Sequence, residues 1–134
     1  MTQEVTLPFC TLRLIAPDVV EAIVNEGVEM SLDQVKQGHA AFDRLSGGLP
    51  CGALISKLNS YTYTFQAQKE IYNQPKVRAL AYHAPDANRR MALESLLDVA
   101  KKEIHFPIQI FEQREDALRW LRQQLDTAAK SSQS

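Results

Sequence analysis

The apolar residues of this chain switch repeatedly between alternation or unbroken runs and spacing by three and four, so strands and helices are expected to follow one another. Phe9 to Ala16 alternates, with Leu12 and Leu14 on one face and Thr11 and Arg13 on the other, until Pro17-Asp18 breaks it. Val19 to Val24 resumes as an apolar run, and the two segments read as a hairpin-like entry into a sheet. Ser31-Leu32-Asp33-Gln34 has the capping-box pattern, in which the serine hydroxyl accepts from the amide three residues on while the glutamine reaches back. Val35, His39, Phe42 and Leu45 then recur at helical spacing, and Gly47-Gly48 followed by Pro50 supplies the stop.

Gly52 to Ile55 is apolar without alternation, as expected of a strand covered on both faces. Phe65 to Asn73 suggests a short helix ended by Pro75, and Val77 to His83 the next strand. Pro85 suits the first turn of a helix whose inward stripe is Leu93, Leu96, Leu97, Ala100 and Ile104. Pro107 to Phe111 gives a last short strand, and Ala117, Leu118, Leu121 and Leu125 a final helix with Trp120 beside its inner face. The order ββαβαβαβα predicts a single-domain α/β fold. Its sheet is expected to be mixed but mostly parallel and five-stranded, with about four helices and one antiparallel strand at its start. Residues 1–8 are expected to be an N-terminal extension, 9–126 the domain, and 127–134 a disordered polar tail.

Composition narrows the classes of function. A chain of 134 residues, 45% hydrophobic and 23% charged, suits one globular domain. A net charge of −1 supplies no field for nucleic acid or anionic lipid, and no apolar run approaches a membrane span. Cys10 and Cys51 stand far apart inside apolar runs, as buried reduced thiols do, and no secretory pattern opens the chain; a cytoplasmic location is the expectation.

Candidate chemistry gathers between Cys51 and Tyr72, where the apolar run breaks into Ser56, Ser60, Tyr61, Thr62, Tyr63 and Thr64 before helical spacing returns. Loops at the carboxyl ends of parallel strands are where ligands and partners are met. Asn59, Ser60, Tyr61, Thr62, Tyr63 and Thr64, with Gln66 and Lys69, are therefore the candidate partner-binding surface. A second cluster, Asp86-Ala87-Asn88-Arg89-Arg90, opens the helix after the fourth strand, so that Asn88, Arg89 and Arg90 could meet an anion. The three histidines have no ligand spacing, so neither a metal nor a cofactor is expected. Cys51 and His83 begin and end their strands, which places them at opposite edges of a parallel sheet. Phosphate-loop, Gly-x-Ser-x-Gly and dinucleotide motifs are absent, and no set of nucleophile, base and orienting group suggests an enzyme.

The element order, with GALISKL, a hydroxyl-rich loop, VRALAYHA and the ending FPIQIFEQREDALRWL, resembles the STAS domain family of anti-sigma factor antagonists over roughly Thr11 to Leu125. The bacterial stand-alone branch described as SpoIIAA-like is the most similar. The resemblance implies a non-enzymatic regulatory module that meets a protein partner, such as a regulatory kinase or signalling protein, and that could pair with a second copy. In the family an Asp-Ser-Ser-Gly motif presents a phosphoacceptor serine. Here Thr64-Phe65-Gln66-Ala67 stands in its place, leaving Thr64, Thr62 and Ser60 nearby as the possible phosphoacceptors. The alternative is a binder of a small anion, nucleotide or lipid between this loop and the Asp86 to Arg90 helix start, the lipid by analogy with lipid-transfer folds.

Overall fold

The computed structural model describes residues 3–133, with side chains described through Ala128. Eight strands are present among the described residues: β1 (Glu4–Thr6), β2 (Cys10–Ala16), β3 (Val19–Val24), β4 (Glu29–Met30), β5 (Cys51–Ser56), β6 (Thr62–Tyr63), β7 (Val77–His83) and β8 (Ile108–Phe111). The helices are α1 (Leu32–Ser46), α2 (Phe65–Gln68), α3 (Ala87–Val99) and α4 (Arg114–Gln133), with a 3-10 turn at Lys101–Glu103. The main sheet runs β1-β2-β3-β5-β7-β8, antiparallel from β1 to β3 and parallel from β3 to β8. The α/β class and mixed sheet match expectation, but the sheet has six strands rather than five.

The added strand is β1, inside the supposed extension, where Glu4, Val5 and Thr6 pair with Arg13, Leu12 and Thr11. Three residues carry too little pattern to announce a strand; Met1 and Thr2 lie outside the described residues. At the other end the chain stays helical to Gln133, because Thr127 to Gln133 contains no glycine or proline to stop α4. Ser134 lies outside the described residues. The short α2 also ends earlier than expected, at Gln68, and turns carry the chain on to β7.

Local chemistry explains the helix ends. Ser31 and Gln34 form the reciprocal capping box, and Gly47 takes the left-handed conformation, φ 67°, that a side chain would resist. Alternation along the strands then sorts side chains between two cores. Leu12, Val20, Ala53, Leu80 and Tyr82 pack under α1, α2 and α3, while Val19, Leu54, Ala79 and Ala81 pack under Ala117, Leu121 and Leu125 of α4. Gly52 admits α4 closely, since a Cβ there would lie 3.1 Å from Leu125 Cδ1.

Helix α4 is further held by charge. Glu21 is buried on β3 and accepts from Arg114 Nη2 at 2.9 Å and Nε at 3.2 Å, from Ser56 Oγ at 2.5 Å and from Arg13 Nη2 at 3.4 Å. Burial alone would raise this carboxyl; the hydrogen bonds and charge of Arg114, with Ser56 and Arg13, outweigh it and hold the group below the ordinary glutamate range. About two turns further along, Arg122 clasps Asp18 at 2.6 and 3.0 Å.

Two predictions follow from this packing. Glu21→Leu leaves Arg114 without its buried partner and should destabilise the protein by roughly 2–3 kcal/mol, less than a full buried-pair loss because Arg114 is partly solvated. Because the folded carboxyl titrates lower than the unfolded one, the wild-type advantage is present above the ordinary glutamate range and disappears as pH falls through the lowered folded value. Urea unfolding of both proteins from pH 7 downward measures it, and the two stabilities should converge in acid. Separately, a Cβ on Gly38 of α1 would meet nothing within 4 Å, beside an apolar cavity of about 80 Å³ lined by Leu12, Val35 and Phe42 among others. Gly38→Ala should stabilise by about 0.5–1 kcal/mol in the same assay.

Candidate functional site

Strands β5 and β7 pair in parallel from Gly52↔Ala79 to Ser56↔His83, and the Lys57 amide extends the ladder by donating to the His83 carbonyl at 2.8 Å. Both chains therefore leave the sheet at the same edge. The loop after β5 and the start of α3 meet there around an open cleft of about 550 Å³. Its walls include Lys57, Ser60, Tyr61, Thr62, Asp86, Asn88 and Arg89. The two sequence-derived clusters thus adjoin, and Arg89 Nε donates to Ser60 Oγ at 3.4 Å.

The hydroxyl-rich segment is more constrained than its composition suggests. Thr62–Tyr63 is β6, paired in parallel with β4, and backbone bonds from Gly27 to Ser60, Thr62 to Val28 and Thr64 to Met30 pin it at 2.8–3.0 Å. Glu26 Oε2 accepts from the Ser60 amide, and Asn59 donates to the Val24 carbonyl. Tyr61 is buried and Tyr63 half-buried, their rings meeting edge-on at 5.7 Å. Burial pushes the Tyr61 phenol up to about 12 and holds Tyr63 well above the ordinary phenol value. Tyrosine hydroxyls in a polar run had suggested an exposed surface; their rings instead fill the core beneath it.

The remaining candidates divide. Thr64 caps α2, accepting from the Ala67 amide at 3.2 Å, and its half-buried hydroxyl serves the fold. Ser60 and Thr62 are exposed on the cleft wall. Gln66 and Lys69 are exposed on and beside α2, away from the cleft lining, with the Lys69 ammonium over the exposed Phe65 ring at 4.8 Å. Asn88 and Arg89 join the cleft, but Arg90 is turned to the carbonyls of Ala84 and Pro85 at 3.3 and 3.2 Å. Asp86 caps α3 by accepting from the Arg89 amide at 3.0 Å and is a carboxylate in the cleft lining.

Lys57, which the sequence did not single out, is the most informative residue in the cleft. The residue is 6% exposed, and its ammonium lies 3.6 Å from the centre of the Tyr61 ring. Among the described residues no carboxylate pairs with it and no acceptor bonds it. Burial, and then the charge of Arg89, bring its pKa down from 10.5 to about 8. The available signal was a lysine directly continuing the apolar strand in Leu54-Ile55-Ser56-Lys57-Leu58.

Other candidates are explained structurally. Cys51 and His83 lie at opposite ends of their strands, as expected, since Cys51 aligns with Val77. His83 faces the α4 side; burial, followed by the Arg114 charge, lowers its pKa, and Nδ1 has no hydrogen-bond partner among the described residues. Burial raises both free thiols, Cys10 and Cys51, to about 11. Among the described residues no cluster of His, Cys, Asp and Glu could hold a metal ion, and no helix is long and apolar enough to cross a membrane. Comparison of the chain with family models, curated proteins and solved structures gave no match.

A largely buried lysine with no counter-ion should weigh on stability. Between pH 8 and 10.5 the unfolded chain holds the Lys57 proton while the folded chain releases it, so stability from this group rises with pH across that window. Lys57→Met should stabilise the protein at pH 7 by on the order of 1 kcal/mol and flatten the rise. Urea midpoints at pH 7 and pH 10 test both effects.

Proposed function

We propose that this protein is a binding module for a small anionic ligand, held in the cleft between the β5–β6 loop and the start of α3. The observation that carries this reading is Lys57, a buried cation with no counter-ion among the described residues, lining the cleft beside Arg89. Such a group is costly in an empty fold and is neutralised by an incoming anion. A phosphate or carboxylate would draw on the Lys57 ammonium, the free part of the Arg89 guanidinium and the exposed amides that open α3. The exposed hydroxyls of Ser60 and Thr62 supply further donors. Asp86 sets a limit, since a highly charged polyanion would meet its carboxylate, and a singly or doubly charged ligand suits the wall better.

A second reading follows the STAS resemblance. Phe65, 70% exposed beside Lys69 and Gln66, offers an apolar contact to a protein partner at the same sheet edge. The antagonist-like role would then use α2, with the cleft sensing a ligand next to it.

Titration calorimetry with inorganic phosphate at pH 7 tests the first reading. Wild type should bind, Arg89→Gln and Lys57→Met should each weaken binding at least tenfold, and Phe65→Ala should leave it unchanged. Equal heats from wild type and both cleft variants would reject the cleft as the anion site.

A further inference from the structure

The same cleft holds the elements of a covalent ligand site. An amine captures a carbonyl compound when three conditions meet: it is partly unprotonated near neutral pH, no carboxylate fixes it as an ammonium, and a second group holds the carbonyl compound against it. Lys57 meets the first two. Its backbone is fixed by the β5–β7 ladder, its side chain is enclosed, and its nitrogen rests on the Tyr61 ring without an ion pair or hydrogen bond among the described residues. The depressed pKa of about 8 is consistent with that environment. Arg89 meets the third: one edge of its guanidinium is anchored on Ser60 Oγ, and no carboxylate among the described residues pairs with it. Lys57 and Arg89 border one space of about 550 Å³, enough for a compact ligand with a carbonyl and a separate anionic group.

We propose that Lys57 forms a reversible imine with small aldehydes or ketones that carry a carboxylate or phosphate, the anionic group being held by Arg89. The Nζ lone pair attacks the carbonyl carbon, and proton transfer from nitrogen to oxygen gives a carbinolamine. Loss of water then forms the C=N bond, so amine and carbonyl compound become imine and water without oxidant or reductant. Hydrolysis reverses the step and returns the free lysine. The Tyr61 face and the burial of the residue hold the nitrogen in place where it opens onto the cleft. This inference rests on the anion-binding reading of the cleft and adds covalent capture to it.

The test is reductive trapping. Full-length protein is incubated at pH 7.5 with glyoxylate or, separately, pyridoxal phosphate and sodium cyanoborohydride, and the modified lysines are located by peptide mass spectrometry. Propionaldehyde serves as the uncharged control. The expected result is a single adduct at Lys57, formed at least tenfold faster than at surface lysines such as Lys69 and Lys102. Arg89→Gln should slow trapping of the anionic aldehydes about tenfold and that of propionaldehyde several-fold less, through the lost charge beside Lys57 alone, and inorganic phosphate should compete. Glyoxylate and pyridoxal phosphate distinguish a carboxylate from a phosphate preference, and capture of either supports the proposal. Lys57→Arg cannot form the imine, so it should lose the adduct. Adducts spread evenly over the lysines, or none at Lys57, with phosphate still bound, would overturn covalent capture alone. Absence of both adduct and phosphate binding would overturn the anion site with it.

Discussion

The parallel pairing of β5 with β7 is the constraint on which the rest of the molecule depends. It sets the register from Gly52↔Ala79 to Ser56↔His83, and the Lys57 amide carries it one bond further. Because parallel strands discharge their chains at one edge, this ladder brings the loop after β5 to the start of α3. It also orients Ser56 toward Glu21 and the α4 side, and Lys57 toward Tyr61 and the cleft. A one-residue slip would exchange the two faces, burying Lys57 under α4 and stripping Glu21 of its serine donor.

The two charged centres near this edge behave oppositely. Glu21 is buried and fully answered, with Arg114, Ser56 and Arg13 converging on one carboxylate. Such a group orders its surroundings and fixes where α4 begins. Lys57 is buried and unanswered, held by an aromatic face and opposed by Arg89. On the proposed reading, the contrast separates architecture from function. A fold that supplies four hydrogen bonds from three side chains to one buried anion, yet leaves a cation on the neighbouring strand without an acceptor, has placed the unsatisfied charge at an opening to solvent.

Much of the fold was legible in local pattern. The Ser31–Gln34 capping box and the Gly47 stop fixed α1, and alternation in Phe9 to Ala16 marked β2 and its hairpin with β3. Strands of two or three residues escaped, since β1, β4 and β6 owe their existence to partners elsewhere in the chain. The site was legible in part: Ser60, Thr62, Asn88 and Arg89 do meet, and Arg90 does not. Tyr61 and Tyr63 were misjudged because a hydroxyl-rich string conceals aromatic area that belongs in a core. Glu21 and Lys57 were overlooked inside apolar runs. A charged residue within such a run is itself the anomaly, but whether it is paired or orphaned depends on contacts as distant as Glu21 to Arg114.

On the proposed reading, Lys57 is a cation awaiting an anion. Nuclear magnetic resonance titration of its side-chain amine, with and without saturating phosphate, addresses it most directly. The expected result is a midpoint near 8 in the free protein, where burial and Arg89 disfavour the charge, and an upward shift of at least one pH unit when phosphate is bound. A midpoint near the ordinary lysine value of about 10.4, unmoved by phosphate, would contradict it.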